Sequence, residues 1–282
     1  MPAKVRTDLR STYGAGRSSR GASSGIGKAF AIVLGRLGIN VILLSNDVAG
    51  LHRTKQELLA ARPGLEVLCR DIDLARIDEL RSYLETAETM KVRIVANCAG
   101  FGSAGHTLNC PLDDFLKMAN VNAAAVMVIS YHFAALFSDR NVPGAIINVA
   151  TANVEALLPT PFSAVYTSLK FFVKFFTESL AYEMRPYAVD ITSVSCGPTA
   201  TAFQAQARTR ELAWRESAES VAIKSLNALG KKTNIITNPV SRIIIFFARV
   251  LPLPRSTKIR FAAAFFGKLL GQGKNMTLKK RG

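Results

Sequence analysis

The sequence predicts an α/β fold built on a doubly wound parallel sheet, and three features predict it. Short runs rich in Val, Ile and Leu alternate with longer segments of helical periodicity, the pattern of a parallel sheet covered on both faces. A glycine-rich turn, Gly21-Ala22-Ser23-Ser24-Gly25-Ile26-Gly27, opens one of the helical segments. Nearly half of the 282 residues are apolar and the mean hydropathy is positive, which excludes a disordered chain and allows a sizeable core.

In order, the strand candidates are Asn40–Ser45, Leu65–Arg70, Val92–Ala96, Ala145–Ala150 and Asp190–Ser195. Helical patterns near 26–37, 48–61, 75–88, 113–138, 163–186 and 217–229 fill the intervals and follow the last strand. No internal repeat interrupts the series. Residues 1–238 therefore read as one domain, and 239–282 as a basic amphipathic tail.

Charge separates the tail from the body. Residues 231–282 carry twelve Lys or Arg and no Asp or Glu, residues 1–28 carry six basic residues against Asp8 alone, and the stretch between is nearly neutral. The tail's cations interleave with Ile, Phe, Leu and Ala, which suits an anionic membrane surface rather than nucleic acid. Arg249, Pro252 and Pro254 interrupt its apolar runs, so neither half reaches the length of a spanning helix. Two short interfacial helices are expected, with packing against a second copy in a homodimer as the alternative.

Cys69, Cys98, Cys110 and Cys196 are scattered without metal-ligand spacing, as are His52, His106 and His132, so metal catalysis has no support and reduced thiols are expected.

The glycine turn has the G-x-x-x-G-x-G spacing that brings backbone N–H groups and a helix N-terminus against a pyrophosphate. Gly21, Ser23, Ser24, Gly25, Ile26 and Gly27 are its cofactor candidates. Further along, Asp71-Ile72 closes the third strand and Asn97-Cys98-Ala99-Gly100 follows the fourth. Tyr166 and Lys170 stand four apart in a helical pattern, so both project from one face, where a lysine ammonium favours the tyrosinate and makes Tyr166 an acid/base near neutral pH.

Together these motifs resemble the short-chain dehydrogenase/reductase family over about Tyr13 to Leu229. The resemblance implies a Rossmann-like domain in which the glycine turn, Asp71, Ile72, Asn97, Ala99 and Gly100 hold NAD(H) or NADP(H). It implies that Tyr166 donates a proton to a carbonyl, that Lys170 tunes Tyr166 and touches the ribose, that Asn122 serves a proton-relay water, and that Thr201 contacts the nicotinamide amide. The family's serine, usually thirteen residues before the tyrosine, is missing: Asn153 stands at that distance, whereas aligning Ala145–Ala150 as the strand puts Thr151 there. Thr151 is the candidate, because its hydroxyl can still bond a carbonyl oxygen. Ser45-Asn46-Asp47 follows the second strand with neither the acid that favours NAD nor the arginine that favours NADP; Arg20 and Lys28 tilt the choice towards NADP(H).

Gly16-Arg17-Ser18-Ser19-Arg20 stands where the central strand belongs, and its polarity contradicts a central strand. Membrane-bound relatives resemble Tyr-Gly-x-Trp-Ala-Leu-Val-Thr-Gly here. The codons TGG GCG CTC GTC ACG, shifted by one base with the next G borrowed, read GGG CGC TCG TCA CGG, which is Gly-Arg-Ser-Ser-Arg. Two compensating frame shifts, in the gene or in its determination, account for residues 16–20.

Within the family, Gly25–Phe30, Gly144–Asn148, Pro159-Thr160-Pro161 and the basic tail resemble the very-long-chain 3-oxoacyl-CoA reductase and 17-beta-hydroxysteroid dehydrogenase branch. That implies NADPH-dependent reduction of a lipid or acyl-CoA carbonyl at the cytosolic face of the endoplasmic reticulum membrane, where Lys279 and Lys280 suit a di-lysine retrieval signal. A sterol or retinoid dehydrogenase, or an impaired membrane-associated protein of the same fold, are the rival readings. Phe203–Glu219 is the expected lid.

Overall fold

A computed structural model describes residues 5–6, 8–13, 17–20, 23–87, 91–203 and 212–269, with 17–20 described by strand pairing. Its main sheet has seven parallel strands in the order β3-β2-β1-β4-β5-β6-β9. These are β1 Arg17–Arg20, β2 Val41–Ser45, β3 Val67–Asp71, β4 Val92–Asn97, β5 Gly144–Thr151, β6 Val189–Cys196 and β9 Asn234–Ile236. A separate two-stranded pair joins β7 Thr199–Ala200 to β8 Glu216–Ser217.

The helices are α1 Leu9–Tyr13, α2 Gly25–Arg36, α3 Val48–Ala61, α4 Ile77–Ala87, α5 Leu112–Ala119, α6 Ala125–Asp139, α7 Ala164–Glu183, α8 Ala218–Ala228, α9 Pro239–Val250 and α10 Arg255–Leu269. Successive strand residues point to opposite faces, so each strand feeds two cores. Ile94, Ala96, Ala145, Ile147 and Val194 pack with Phe30 and Leu34 of α2 and Val221 and Leu226 of α8. Val92, Val95, Ile146 and Ile191 pack with Leu80 and Leu84 of α4 and Ile129, Phe133 and Phe137 of α6. Being buried on both faces explains why these strands read as continuous apolar runs.

Contrary to the sequence expectation, Arg17–Arg20 does occupy the central slot, as β1 between β2 and β4. Its pairing is poor: β2 is met only at Ser18↔Val41, and the register to β4 shifts between Arg17 and Ser18 and again between Ser18 and Arg20. Neighbouring β2 and β3 pair without a break over five residues. The preceding segment is anchored independently: Arg6 N–H donates to Asn227 Oδ1 at 2.7 Å, its guanidinium to the Leu229 carbonyl at 2.7 Å, and buried Tyr13 donates to Asp190. Topology and anchored flanks keep the chain in place where local composition does not.

The run 113–138 is one continuous helical path in which α5 passes into α6 through a π-turn over Asn120–Ala124. Among the described residues it is the one helix, Leu112–Asp139, long and apolar enough to cross a membrane by composition, but half of it is buried in the core. In the tail, α9 starts at Asn238, whose side chain accepts from Ser241 N–H at 2.9 Å, with Pro239 in the first turn. Pro252 and Pro254 separate it from α10.

Candidate active site

The strand order reverses at β1 and β4, and ligands in such sheets sit outside the carboxyl ends of the strands at that point. The glycine turn lies there, between β1 and α2. Gly21 falls outside the described residues. Gly25 has φ +55°, and a Cβ on it would come within 3.3 Å of Thr201 Cγ2, so the turn needs glycine and lies against the loop after β6. Ser24 is the N-terminal flanking residue of α2 and makes no side-chain cap, Ile26 is half-buried and Gly27 is buried. The helix N-terminus therefore presents backbone donors beside this turn.

Ser23 Oγ and Ser45 Oγ are 3.1 Å apart. Asp47 caps α3 through Gly50 N–H at 2.9 Å while its own N–H donates to Ser45 Oγ at 3.1 Å, so its carboxylate stays beside this pair. Lys28 is paired with Glu57 at 2.6 Å on the exposed surface. The side chain of Arg20 lies outside what is described. Asp71 is exposed at the end of β3 opposite Ser45, and buried Ile72 donates its N–H to the Ser45 carbonyl at 3.3 Å.

Asn97 departs from the role the motif suggested. Its side chain is buried beneath the crevice, donating to Asn148 Oδ1 at 2.7 Å and Ser130 Oγ at 3.2 Å, so it ties β4 to β5 and α6. Ala99 and Gly100 are half-buried beyond it. A Cβ on Gly100 would stand 3.0 Å from Asn122 Oδ1 and 3.5 Å from Lys170 Nζ, which places this turn directly over both residues.

Asn122 sits fully buried in the π-turn. Its Oδ1 accepts from Phe101 N–H at 3.1 Å and its Nδ2 donates to the Phe101 carbonyl at 2.8 Å. The amide braces the turn after β4, and each of its polar atoms keeps one further hydrogen-bonding position.

The same crevice holds Thr151, Tyr166 and Lys170. Thr151 ends β5 on the side of Tyr166, near enough for its hydroxyl to favour the tyrosinate. Helical spacing on α7 puts Lys170 one turn beyond Tyr166, with Nζ 6.0 Å from the ring centre. Lys170 Nζ donates to the Val149 carbonyl at 2.8 Å. Burial pushes the Tyr166 hydroxyl above the ordinary tyrosine value, with Cys196 adding to the rise and the Thr151 hydroxyl opposing it. Burial likewise draws the Lys170 ammonium below its usual value, against the pull of the Cys196 and Cys98 thiols. The expected lowering of Tyr166 by Lys170 is thus not the dominant effect: desolvation outweighs it.

Cys196 packs rather than reacts. Its thiol donates to the Ala150 carbonyl at 3.2 Å and is pushed up to about 11 by burial.

Phe203, at the start of the expected lid, reaches Tyr166, a contact the sequence did not predict. Its ring lies 5.5 Å from that of Tyr166, tilted by 48°. A Cβ on Gly102 would meet Phe203 Cζ at 2.8 Å, so Gly102 makes room for this contact. Of the rest of the expected lid, residues 204–211 fall outside the described residues, and Glu216–Ser217 forms β8.

This crevice fits a nicotinamide dinucleotide: glycines whose added Cβ atoms would crowd Thr201, Asn122 and Lys170, a helix N-terminus, and a tyrosine–lysine–threonine set at one end. Fold and site together define a dinucleotide-dependent oxidoreductase of the α/β class. Residues 20–212 match the short chain dehydrogenase family, and the chain belongs to it as an NAD(P)-dependent short-chain oxidoreductase.

Among similar proteins is a 7beta-hydroxysteroid dehydrogenase of Mediterraneibacter gnavus, 27% identical over 68% of this chain and 72% of the relative. A very-long-chain 3-oxoacyl-CoA reductase of Debaryomyces hansenii is 26% identical over 62% of this chain and 52% of the relative, so the chain matches about half the length of that protein. Of solved structures, one from a study of 7beta-hydroxysteroid dehydrogenase stereoselectivity superposes with a TM-score of 0.79 at 22% identity, covering 90% of this chain and 98% of the other. A short-chain dehydrogenase from Sphingobium yanoikuyae in complex with NADPH gives 0.71 at 20% identity over 94% and 98%.

Proposed function

We propose that the protein reduces the carbonyl of a long-chain lipid substrate, a 3-oxoacyl-CoA, with NADPH at a membrane surface. The observation that carries the chemistry is the buried Tyr166 with Lys170 Nζ 6.0 Å from its ring centre and Thr151 close by. A nicotinamide cofactor held by the glycine turn, Thr201 and Lys170 supplies the hydride. Tyr166, protonated because burial raises its pKa, gives its hydroxyl proton to the carbonyl oxygen. Thr151, within reach of the same oxygen, orients it, and the Lys170 charge favours the tyrosinate left behind. Phe203 covers one side of the Tyr166 ring and excludes water there.

The substrate class rests on the tail. Ile243, Ile244, Phe246, Phe247 and Val250 of α9 and Phe261 and Phe265 of α10 are exposed large apolar side chains, an arrangement that water disfavours. Arg242, Arg255, Lys258, Arg260 and Lys268 accompany them without any acidic residue from 231 onward, which suits an anionic lipid surface. The cytosolic face of the endoplasmic reticulum fits this reading; Lys279 and Lys280 lie outside the described residues. NADP(H) over NAD(H) rests on Arg20 and Lys28 beside the glycine turn and on Ser45, rather than an acid, at the end of β2.

The 7beta-hydroxysteroid dehydrogenase relative favours a second reading, oxidoreduction of a steroid hydroxyl. NADPH oxidation by the full chain on membranes, with a long-chain 3-oxoacyl-CoA and separately with a keto-steroid, distinguishes them. Turnover of the steroid alone overturns the acyl-CoA reading.

A further inference from the structure

We propose that Glu155 and Arg249 are a positioning pair through which α9 holds the exits of β5 and β6 in register at the catalytic centre. The helix with the exposed apolar face is then part of the catalytic scaffold as well. The inference rests on the oxidoreductase assignment and is independent of which carbonyl is reduced.

Glu155 lies in the 3-10 turn Ala152–Ala156 that follows β5, four residues after Thr151, and is only 3% exposed. A buried carboxylate persists only when it is paired and hydrogen-bonded. Here its Oε1 accepts from Ser195 Oγ of β6 at 2.6 Å and Asn234 Nδ2 of β9 at 2.9 Å, with Lys174 Nζ of α7 at 3.5 Å. Arg249, near the end of α9, donates through Nε to the Glu155 backbone carbonyl at 2.5 Å and sets a terminal nitrogen 3.4 Å from Oε2. Four elements besides the turn itself thus converge on one side chain. Lys174 is one helical turn beyond Lys170, so the node borders the catalytic face of α7.

The other end of α9 is seated as closely. A Cβ on Gly197, just after β6, would fall 2.5 Å from Ser241 Oγ and 2.6 Å from Asn238 Cβ, and Asn238 Nδ2 donates to the Trp214 carbonyl at 2.9 Å. Consequently α9 is pinned at one end to the strand exit leading to Thr201 and at the other to the strand exit bearing Thr151. Loosening the Arg249 end frees the turn after Thr151, and displacements of about 1 Å cost catalytic geometry on the order of 100-fold.

Arg242 provides a matched control. It lies on the same helix, carries the same charge and, among the described residues, bonds only to the Ile236 carbonyl, at 2.9 Å. The experiment compares full-length Arg249→Gln, Arg242→Gln and Arg249→Lys on vesicles containing anionic phospholipid, with three readouts: sedimentation with vesicles, backbone hydrogen exchange over 151–157, and kcat and KM for NADPH oxidation with a long-chain 3-oxoacyl-CoA. Both glutamine variants should lose similar vesicle affinity. Arg249→Gln alone should speed exchange over 151–157 and lower kcat about 10-fold or more, with the KM for NADPH within about twofold and partial recovery in Arg249→Lys. Equal exchange in the two glutamine variants overturns the proposal, as does an unchanged kcat in Arg249→Gln. Should the acyl-CoA not be turned over by any variant, the substrate reading fails and the exchange comparison still decides the pair.

Discussion

Lys170 Nζ donates to the Val149 carbonyl at 2.8 Å and stands 6.0 Å from the centre of the Tyr166 ring, so the ammonium faces the tyrosine while a backbone oxygen holds it. Burial raises Tyr166 and lowers Lys170. Carbonyl reduction needs protonated Tyr166, the form present at every pH below its raised value, so kcat for reduction should be level from about pH 6 to 8 as far as this group is concerned. Alcohol oxidation needs the tyrosinate and should climb up to tenfold per pH unit over the same range. For stability, the folded chain retains the Tyr166 proton after an unfolded tyrosine has lost it, so stability should fall as pH rises above about 10. Lys170 acts oppositely: just below about 10.4 the unfolded chain binds a proton the folded one has released, and stability there rises with pH. Rate profiles in both directions test the assignment; parallel profiles for reduction and oxidation would refute it.

Thr151 occupies the place of the family's serine by its position at the end of β5, and its hydroxyl lies on the side of Tyr166. Thr151→Ser keeps the oxygen and should retain kcat within about threefold, whereas Thr151→Ala should lose about 10- to 100-fold with cofactor affinity unchanged. Tyr166→Phe should abolish turnover and leave dinucleotide binding intact. Full activity in Thr151→Ala, followed by loss in Asn153→Ala, would move the role to Asn153.

The candidate site residues were readable because their signals are local. Tyr166 and Lys170 need only helical spacing, and Gly25 needs only its neighbours in the turn. What escaped the sequence depends on distant chain meeting. Phe203 reaches Tyr166 across a loop, and Glu155 is one acid in an apolar stretch until β6, β9, α7 and α9 surround it. Likewise Asn97 and Lys28 sat in suggestive motifs, but Asn148 and Glu57, far along the chain, decide where they point. The short β9 was missed because three residues carry too little periodicity to stand out.

β1 carries a prediction of its own. Its slot between β2 and β4 is central, yet it meets β2 at a single position. Restoring the apolar pattern with Gly16→Trp, Arg17→Ala, Ser18→Leu, Ser19→Val and Arg20→Thr should bury at least two apolar side chains, each contributing about 1.5–3 kcal/mol. At about 2–4 °C per kcal/mol for a domain of this size, Tm should rise by about 6 °C or more, with dinucleotide binding strengthened. Thermal melts of the two chains check this. A lower Tm in the restored chain would mean that the polar strand is native to this fold, and resequencing the gene would then find residues 16–20 in frame.

Truncation separates anchoring from scaffolding, because the tail does two things at different points. Ending the chain after Pro254 removes α10 with its exposed Phe261 and Phe265 but keeps Arg249 on Glu155 and Asn238 against Gly197. That variant should bind anionic vesicles more weakly, by about 1 kcal/mol for each cation lost near the surface, and should keep its thermal stability. Ending it after Asn238 also strips α9, exposing Ile245 and the face it covers and leaving the Glu155 carboxylate without its arginine. Breaking a buried ion pair by removing one partner costs about 3–5 kcal/mol. Arg249 is itself half exposed, so the lower end applies, yet loss of the helix's packing adds to it. The shorter chain should therefore melt at least several degrees lower and lose turnover even in detergent solution, where membrane binding is irrelevant. Equal melting temperatures for the two truncations would show that α9 is a passive appendage.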